Sequence, residues 1–203
     1  MLKKGIIVSI QGYHYKTISE LAKEAINAGC IGIRTDKKLT FAPNKDITII
    51  GLRKKQVPDV KKESYITDTV EEISQVNLWA DFIAVDYRRC NPRLKELSDF
   101  AAKNKLKIIA DIETIDDYKN IKSNNYFYSY VATTLSVFKN LFNPDLKLVE
   151  QLAKAGEKNI IAEGNFTKRF EVKNAFDLGA HAVCIGGVIS DVYKLTKKFT
   201  SVL

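Results

Sequence analysis

Cysteine, histidine, proline and glycine are all scarce in this 203-residue chain, with 3, 2, 4 and 10 copies, and each scarcity removes a class of protein. Cys30, Cys90 and Cys184 are odd in number and far apart, so they suit neither a disulfide framework nor the close ligand pairs of a zinc site. Reduced thiols are expected, two of them as small core residues. His14 lies in a polar stretch and His181 just ahead of an apolar run, with no His/Cys/carboxylate spacing that would hold a metal. Neither a metal nor another cofactor is therefore expected. So little Gly and Pro excludes a low-complexity linker protein. No apolar run reaches the roughly 18 residues of a membrane span, and Lys3 and Lys4 precede only residues 5–10 before polar Gln11, too short a stretch for an export signal. A cytoplasmic protein is expected.

Charge is plentiful. Thirty-two Lys and Arg against 24 Asp and Glu leave a net charge of +8 and a pI near 9.2, which admits nucleic acid, a membrane surface or an anionic metabolite as partner. The basic residues are scattered, often beside acids, as in Lys23-Glu24 and Lys95-Glu96, and the tightest cluster is only 53–55. With no aromatic RNA-binding motif and no basic tail, the reading is a solvated lysine-rich surface with no nucleic-acid and no membrane partner. A small anion remains. Hydrophobic residues make up 45% of the chain, enough for one sizeable core, and the length favours a single domain over 1–203.

Short runs rich in Ile and Val alternate with longer segments of helical period. Strands are expected near 5–11, 30–34, 47–52, 81–86, 106–112, 127–132, 159–163 and 182–186. Between the first two, Ile18, Leu21, Ala22, Ala25 and Ile26 follow the spacing of an amphipathic helix that Thr17 would cap and Gly29 would end. Asn143-Pro144 starts another helix, with Leu148, Val149 and Leu152 on one stripe, and 167–178 is a third, closed by Gly179. Strands without polar alternation are buried on both faces. The pattern predicts an α/β protein, a compact (β/α)8 TIM barrel of the phosphate-binding type, below the usual size of about 250 residues. An open doubly wound sheet is the alternative, but its nucleotide-binding form needs a Gly-rich turn that residues 9–13 do not supply.

In such a barrel the reactive groups end the strands. The residues found there are Gln11, Arg34, Lys54, Asp86, Asp111, Thr133 with Thr134, Glu163 and the pair Gly186-Gly187. Gly164, with Gly186 and Gly187, falls after the seventh and eighth strands, where backbone amides can approach a phosphate closely. Lys54 and Glu163 are the candidate acid-base groups; a lysine in a barrel mouth loses its proton more easily when desolvated or near other cations, and Arg53 and Lys55 flank it. Asp86 and Asp111 are equally placed to orient a lysine, to bind sugar hydroxyls or to partner Arg34.

At these strand ends the chain resembles the N-acetylmannosamine-6-phosphate 2-epimerases. The matching stretches are 5–11, 32–34, 49–54, 110–112, 133–135, 161–164, 186–189 and 195–199, in the family's order over nearly the whole chain. The resemblance implies a (β/α)8 enzyme of sialic acid breakdown that interconverts N-acetylmannosamine-6-phosphate and N-acetylglucosamine-6-phosphate. Lys54 would remove and return the C2 proton with Glu163 as acid-base partner. Gln11, Arg34 and Asp111, with Asp86 and Thr133, would hold the sugar, and Gly164, Asn165, Gly186 and Gly187 the phosphate. It also implies a homodimer through the terminal helices. The chain departs from the family at Asp191, where an Arg is usual, in shortened segments at 87–90 and 136–138, and in a helix nearly missing between Arg34 and Asp46. These departures leave open a barrel acting on another sugar phosphate, or a non-catalytic ligand-binding homologue.

Overall fold

The structure, a computed structural model, describes residues 1–55, 66–138, 143–192, 196 and 200. Eight short strands, β1 Gly5–Ile10, β2 Gly32–Thr35, β3 Thr48–Gly51, β4 Phe82–Asp86, β5 Ile108–Asp111, β6 Tyr130–Ala132, β7 Ile160–Glu163 and β8 Ala182–Ile185, pair in chain order. Every pair is parallel, and β8 returns to β1 with Cys184 opposite Ile7, so the sheet closes into the expected barrel. Around it lie α1 Tyr15–Asn27, α2 Val70–Asn77, α3 Leu94–Lys103, α4 Ile115–Ser123, α5 Leu146–Lys154, α6 Arg169–Asp177 and α7 Gly187–Ser190, with a 3-10 turn at Thr134–Phe138. The crossover from β2 to β3 has no helix at 36–47, in line with the departure from the family noted there. No helix among the described residues is long and apolar enough to cross a membrane.

Alternation along the strands sorts the core into two layers. Ile7, Ile50, Ala84, Ile109, Ala132, Ile161 and Cys184 fill the lumen, while their neighbours Ile83, Val85, Ile108, Ala110, Val131, Ile160, Ala162 and Val183 join the shell beneath the helices. Helices α1 to α5 each contribute a buried stripe; in α5 it is Leu148, Val149 and Leu152, each stabilising by about 1.5–3 kcal/mol on burial. Gly51 lets α2 come close, since a Cβ there would stand 2.5 Å from Val76 Cγ1 and 2.7 Å from Ala80 Cβ.

The N-terminal end of the lumen is plugged. Leu2, 3% exposed, donates its N–H to Tyr130 Oη at 3.2 Å, its carbonyl hydrogen-bonds His181 Nε2 at 2.7 Å, and Phe82 meets Tyr130 edge-on with centroids 5.6 Å apart.

Local details differ from the sequence expectations. Helix α1 starts two residues before Thr17, because Ile18 N already bonds His14 O. Asp145, rather than Asn143, caps α5 by accepting from Leu148 N. The sixth strand begins only at Tyr130: Phe127 N bonds Ser98 Oγ and its carbonyl accepts from Tyr87 Oη, so side chains take the place of ladder partners. The resembling stretch at 195–199 lies, apart from Thr196, outside the described residues.

Candidate active site

Beyond most of the lumen positions, the same alternation delivers a polar side chain to the C-terminal mouth. Ile7 leads to Ser9 and Gln11, Gly32 to Arg34, Ile50 through Leu52 to Lys54, Ile109 to Asp111, Ala132 to Thr134, and Ile161 to Glu163. Ser9, Gln11, Arg34, Lys54, Thr134 and Glu163 line one cavity of about 390 Å³, closed on the β8 side by Gly186, Gly187, Ser190 and Asp191, with Tyr13 above β1.

A buried charge cluster floors this cavity. Arg34, 2% exposed, reaches Asp111 Oδ2 at 2.5 Å through Nη2 and Oδ1 at 3.3 Å through Nη1, and Nη1 lies 3.2 Å from Glu163 Oε2. Thr134 Oγ1 donates to the same Glu163 oxygen at 3.0 Å. Burial opposes the charge on Arg34, yet Asp111 and Glu163 outweigh it and hold the guanidinium above its ordinary range. Burial likewise pushes the Asp111 carboxyl up to about 6, against the pull of Arg34 and with a further push from Glu163. Cys184, fully enclosed below, has its thiol raised by burial. Among the described residues Arg34 Nε is a buried N–H donor without a protein acceptor, an arrangement that costs free energy unless an acceptor arrives.

Lys54 differs from Arg34. It is exposed, its Nζ lies 3.7 Å from the point a Cβ on Gly12 would occupy, and no carboxylate among the described residues pairs with it. On the β1 side, Gln11 Nε2 donates to Ser9 Oγ at 2.7 Å, Ser190 Oγ donates to Ser9 O at 2.8 Å, and Tyr13 Oη donates to Ser190 O at 2.6 Å. These bonds tie the end of β1 to α7.

Residues 18–203 match the family described as "Putative N-acetylmannosamine-6-phosphate epimerase". The chain belongs to this epimerase family. A Clostridioides difficile protein named "Putative N-acetylmannosamine-6-phosphate 2-epimerase" is 31% identical over 220 residues, covering 100% of this chain and 97% of its own. A Mycoplasmopsis pulmonis relative of the same name is 31% identical over 224 residues, covering 97% and 96%. Among solved structures, the N-acetylmannosamine-6-phosphate 2-epimerase of Clostridium perfringens superposes with a TM-score of 0.83 at 27% identity, covering 100% of this chain and 95% of that one.

Several site expectations for this member of the N-acetylmannosamine-6-phosphate epimerase family change with the structure. Asp86 is not among the cavity-lining residues: it is 1% exposed, and Arg88, two residues on, takes both its oxygens, with Nη2 at 2.6 Å from Oδ2. Of the two aspartates, Asp111 is the partner of Arg34, and it sits behind the guanidinium rather than on the cavity wall. Thr133 points the other way from Thr134, its hydroxyl donating to Glu163 O and accepting from Glu163 N, both at 2.9 Å, so it fixes the β7 backbone. Lys55 does not stand as a second cation beside Lys54; it turns outward to Asp68 and Glu72. Gly164 and Asn165 have left-handed backbones, φ 110° and 55°, and the space a Gly164 Cβ would need is filled by Val137 Cγ1 at 2.5 Å. Ser9, Tyr13 and Ser190 were not singled out in the sequence; counting two residues on from a lumen position finds Ser9, but nothing local marks the other two.

Proposed function

We propose that this cavity epimerises C2 of N-acetylmannosamine-6-phosphate, interconverting it with N-acetylglucosamine-6-phosphate in the breakdown of sialic acids. The observation that carries the reading is the convergence of Lys54, Arg34 and Glu163 on one cavity of about 390 Å³ at the C-terminal mouth. Ring opening exposes a C1 carbonyl that acidifies the C2–H bond. Lys54, exposed to the cavity and paired with no carboxylate among the described residues, takes that proton as its amine and returns it to C2 on the opposite face, with Glu163 as acid-base partner. Proton removal moves negative charge onto O1. Arg34, buried and permanently cationic, is the group suited to stabilise it. Gln11 holds sugar hydroxyls from the β1 side.

The phosphate goes to the Gly186–Gly187 end, where two residues without side chains line the cavity, and Gly164 and Asn165 follow the neighbouring strand β7. Asp191 in the same lining is the observation that favours a second reading, in which the barrel serves a different sugar phosphate or binds without turnover. Exposed apolar side chains towards the C-terminus, Phe170 at 58%, Ile189 at 50% and Val192 at 68%, support a homodimer formed near that end of the chain, where most residues after Val192 lie outside the described ones. Light scattering is expected to give twice the chain mass.

Proton NMR of the protein with N-acetylmannosamine-6-phosphate in deuterated water tests the reaction directly. Conversion to N-acetylglucosamine-6-phosphate with loss of the C2 proton signal is the expected outcome. Folded protein that produces neither change would overturn it and leave the second reading.

A further inference from the structure

Past the end of β3 the side chains continue to alternate. Leu52 is buried in the lumen, Lys54 lines the cavity, and Lys55 turns to Asp68 and Glu72. Arg53 N donates to Thr67 Oγ1 at 2.9 Å. Lys55, with 27% of its side chain exposed, pairs through Nζ with Asp68 Oδ1 and with Glu72 Oε1 at 3.1 Å. Those acids are themselves fixed at the start of α2. Asp68 N donates to Glu72 Oε2 at 3.0 Å, Glu72 N bonds the capping Thr69 Oγ1 at 3.2 Å, and Arg93 Nη1 lies 3.5 Å from Asp68 Oδ2.

From this geometry we infer that Lys55 is a positioning residue for Lys54, clamping the backbone beside it through Asp68 and Glu72. The inference rests on Lys54 being the base. A close ion pair would favour the ammonium form of a proton-transferring lysine and hold the nitrogen that must reach both faces of C2. Anchoring through the chain on either side avoids that cost. The fold gives the carboxylates of Asp68 and Glu72 to the neighbouring lysine, so Lys54 is placed by its backbone, and no carboxylate among the described residues ion-pairs with its amine. Burial works against the charge on Lys55, and the bonds to Asp68 and Glu72 more than offset it.

Lys55→Met is expected to lower kcat for C2 exchange by about tenfold or more, since small misplacements of a reacting group cost that much, while KM changes by less than about twofold. Lys55→Arg, which keeps both ion pairs within reach, is expected to restore most of kcat. Asp68→Asn combined with Glu72→Gln removes the clamp from the other side and should reproduce the loss even if Lys55→Met folds poorly, and adding Lys55→Met to that pair should cost little more. Wild-type kcat in Lys55→Met, or a change confined to KM, overturns the inference. Lys54→Met separates the two readings: if it abolishes exchange while Lys55→Met does not, only the clamp fails, and if it retains exchange, the role of Lys54 fails with it.

Discussion

The two ends of the barrel lumen are built from the same alternating strands and are chemically opposite. At the N-terminal end Leu2, Phe82 and Tyr130 make an apolar plug, its few polar atoms joined to one another. At the C-terminal end Arg34 is buried against Asp111 and Glu163, with one N–H that finds no acceptor among the described residues. The first arrangement is satisfied and gains from exclusion of water. The second is held under electrostatic load and is stable only as a set. Stability and chemistry are thus placed at opposite ends of one core, separated by the apolar layer around Ile7, Ile109 and Ile161.

The sharpest break of this comparison is Lys54→Met, which should reduce C2 exchange by about 10²–10⁴-fold, the usual worth of a positioned acid-base group, with the thermal unfolding midpoint unchanged because Lys54 is exposed. NMR exchange and calorimetry measure the two quantities on one sample. Next comes Arg34→Met, expected to cost about 3–5 kcal/mol in urea unfolding by leaving two carboxylates without their cation, and to abolish activity as well. Smallest is Tyr130→Phe at the plug, where loss of the acceptor for Leu2 N–H should cost about 1 kcal/mol with kcat unaltered. If Arg34→Met unfolds no more readily than Tyr130→Phe, the mouth is not the loaded end.

Much of this was legible in the order of residues. The eight apolar runs are the eight strands, and the polar residues that end them include Arg34, Lys54 and Glu163, which the structure brings to one cavity. The clearest misreadings came from neighbours of the same chemical type. Thr133 and Thr134 look alike in sequence, and only their opposite sides of β6 distinguish a backbone tie from a cavity residue. Asp86 and Asp111 both end strands, and the choice between them depended on Arg88 folding back two residues to occupy the first.

Periodicity and composition by themselves determined the βα repeat, the two-sided burial of the strands and the chemical inventory of the mouth, because these depend on spacing within a single element. Tertiary structure alone decided the pairings. Arg34 on β2 meets Asp111 on β5 across 77 residues of chain, and Lys55 finds its acids on α2 rather than joining Lys54 in the cavity. Barrel closure and helix packing bring those groups together, and which partner a buried charge finds is set by distances that no local stretch of sequence contains.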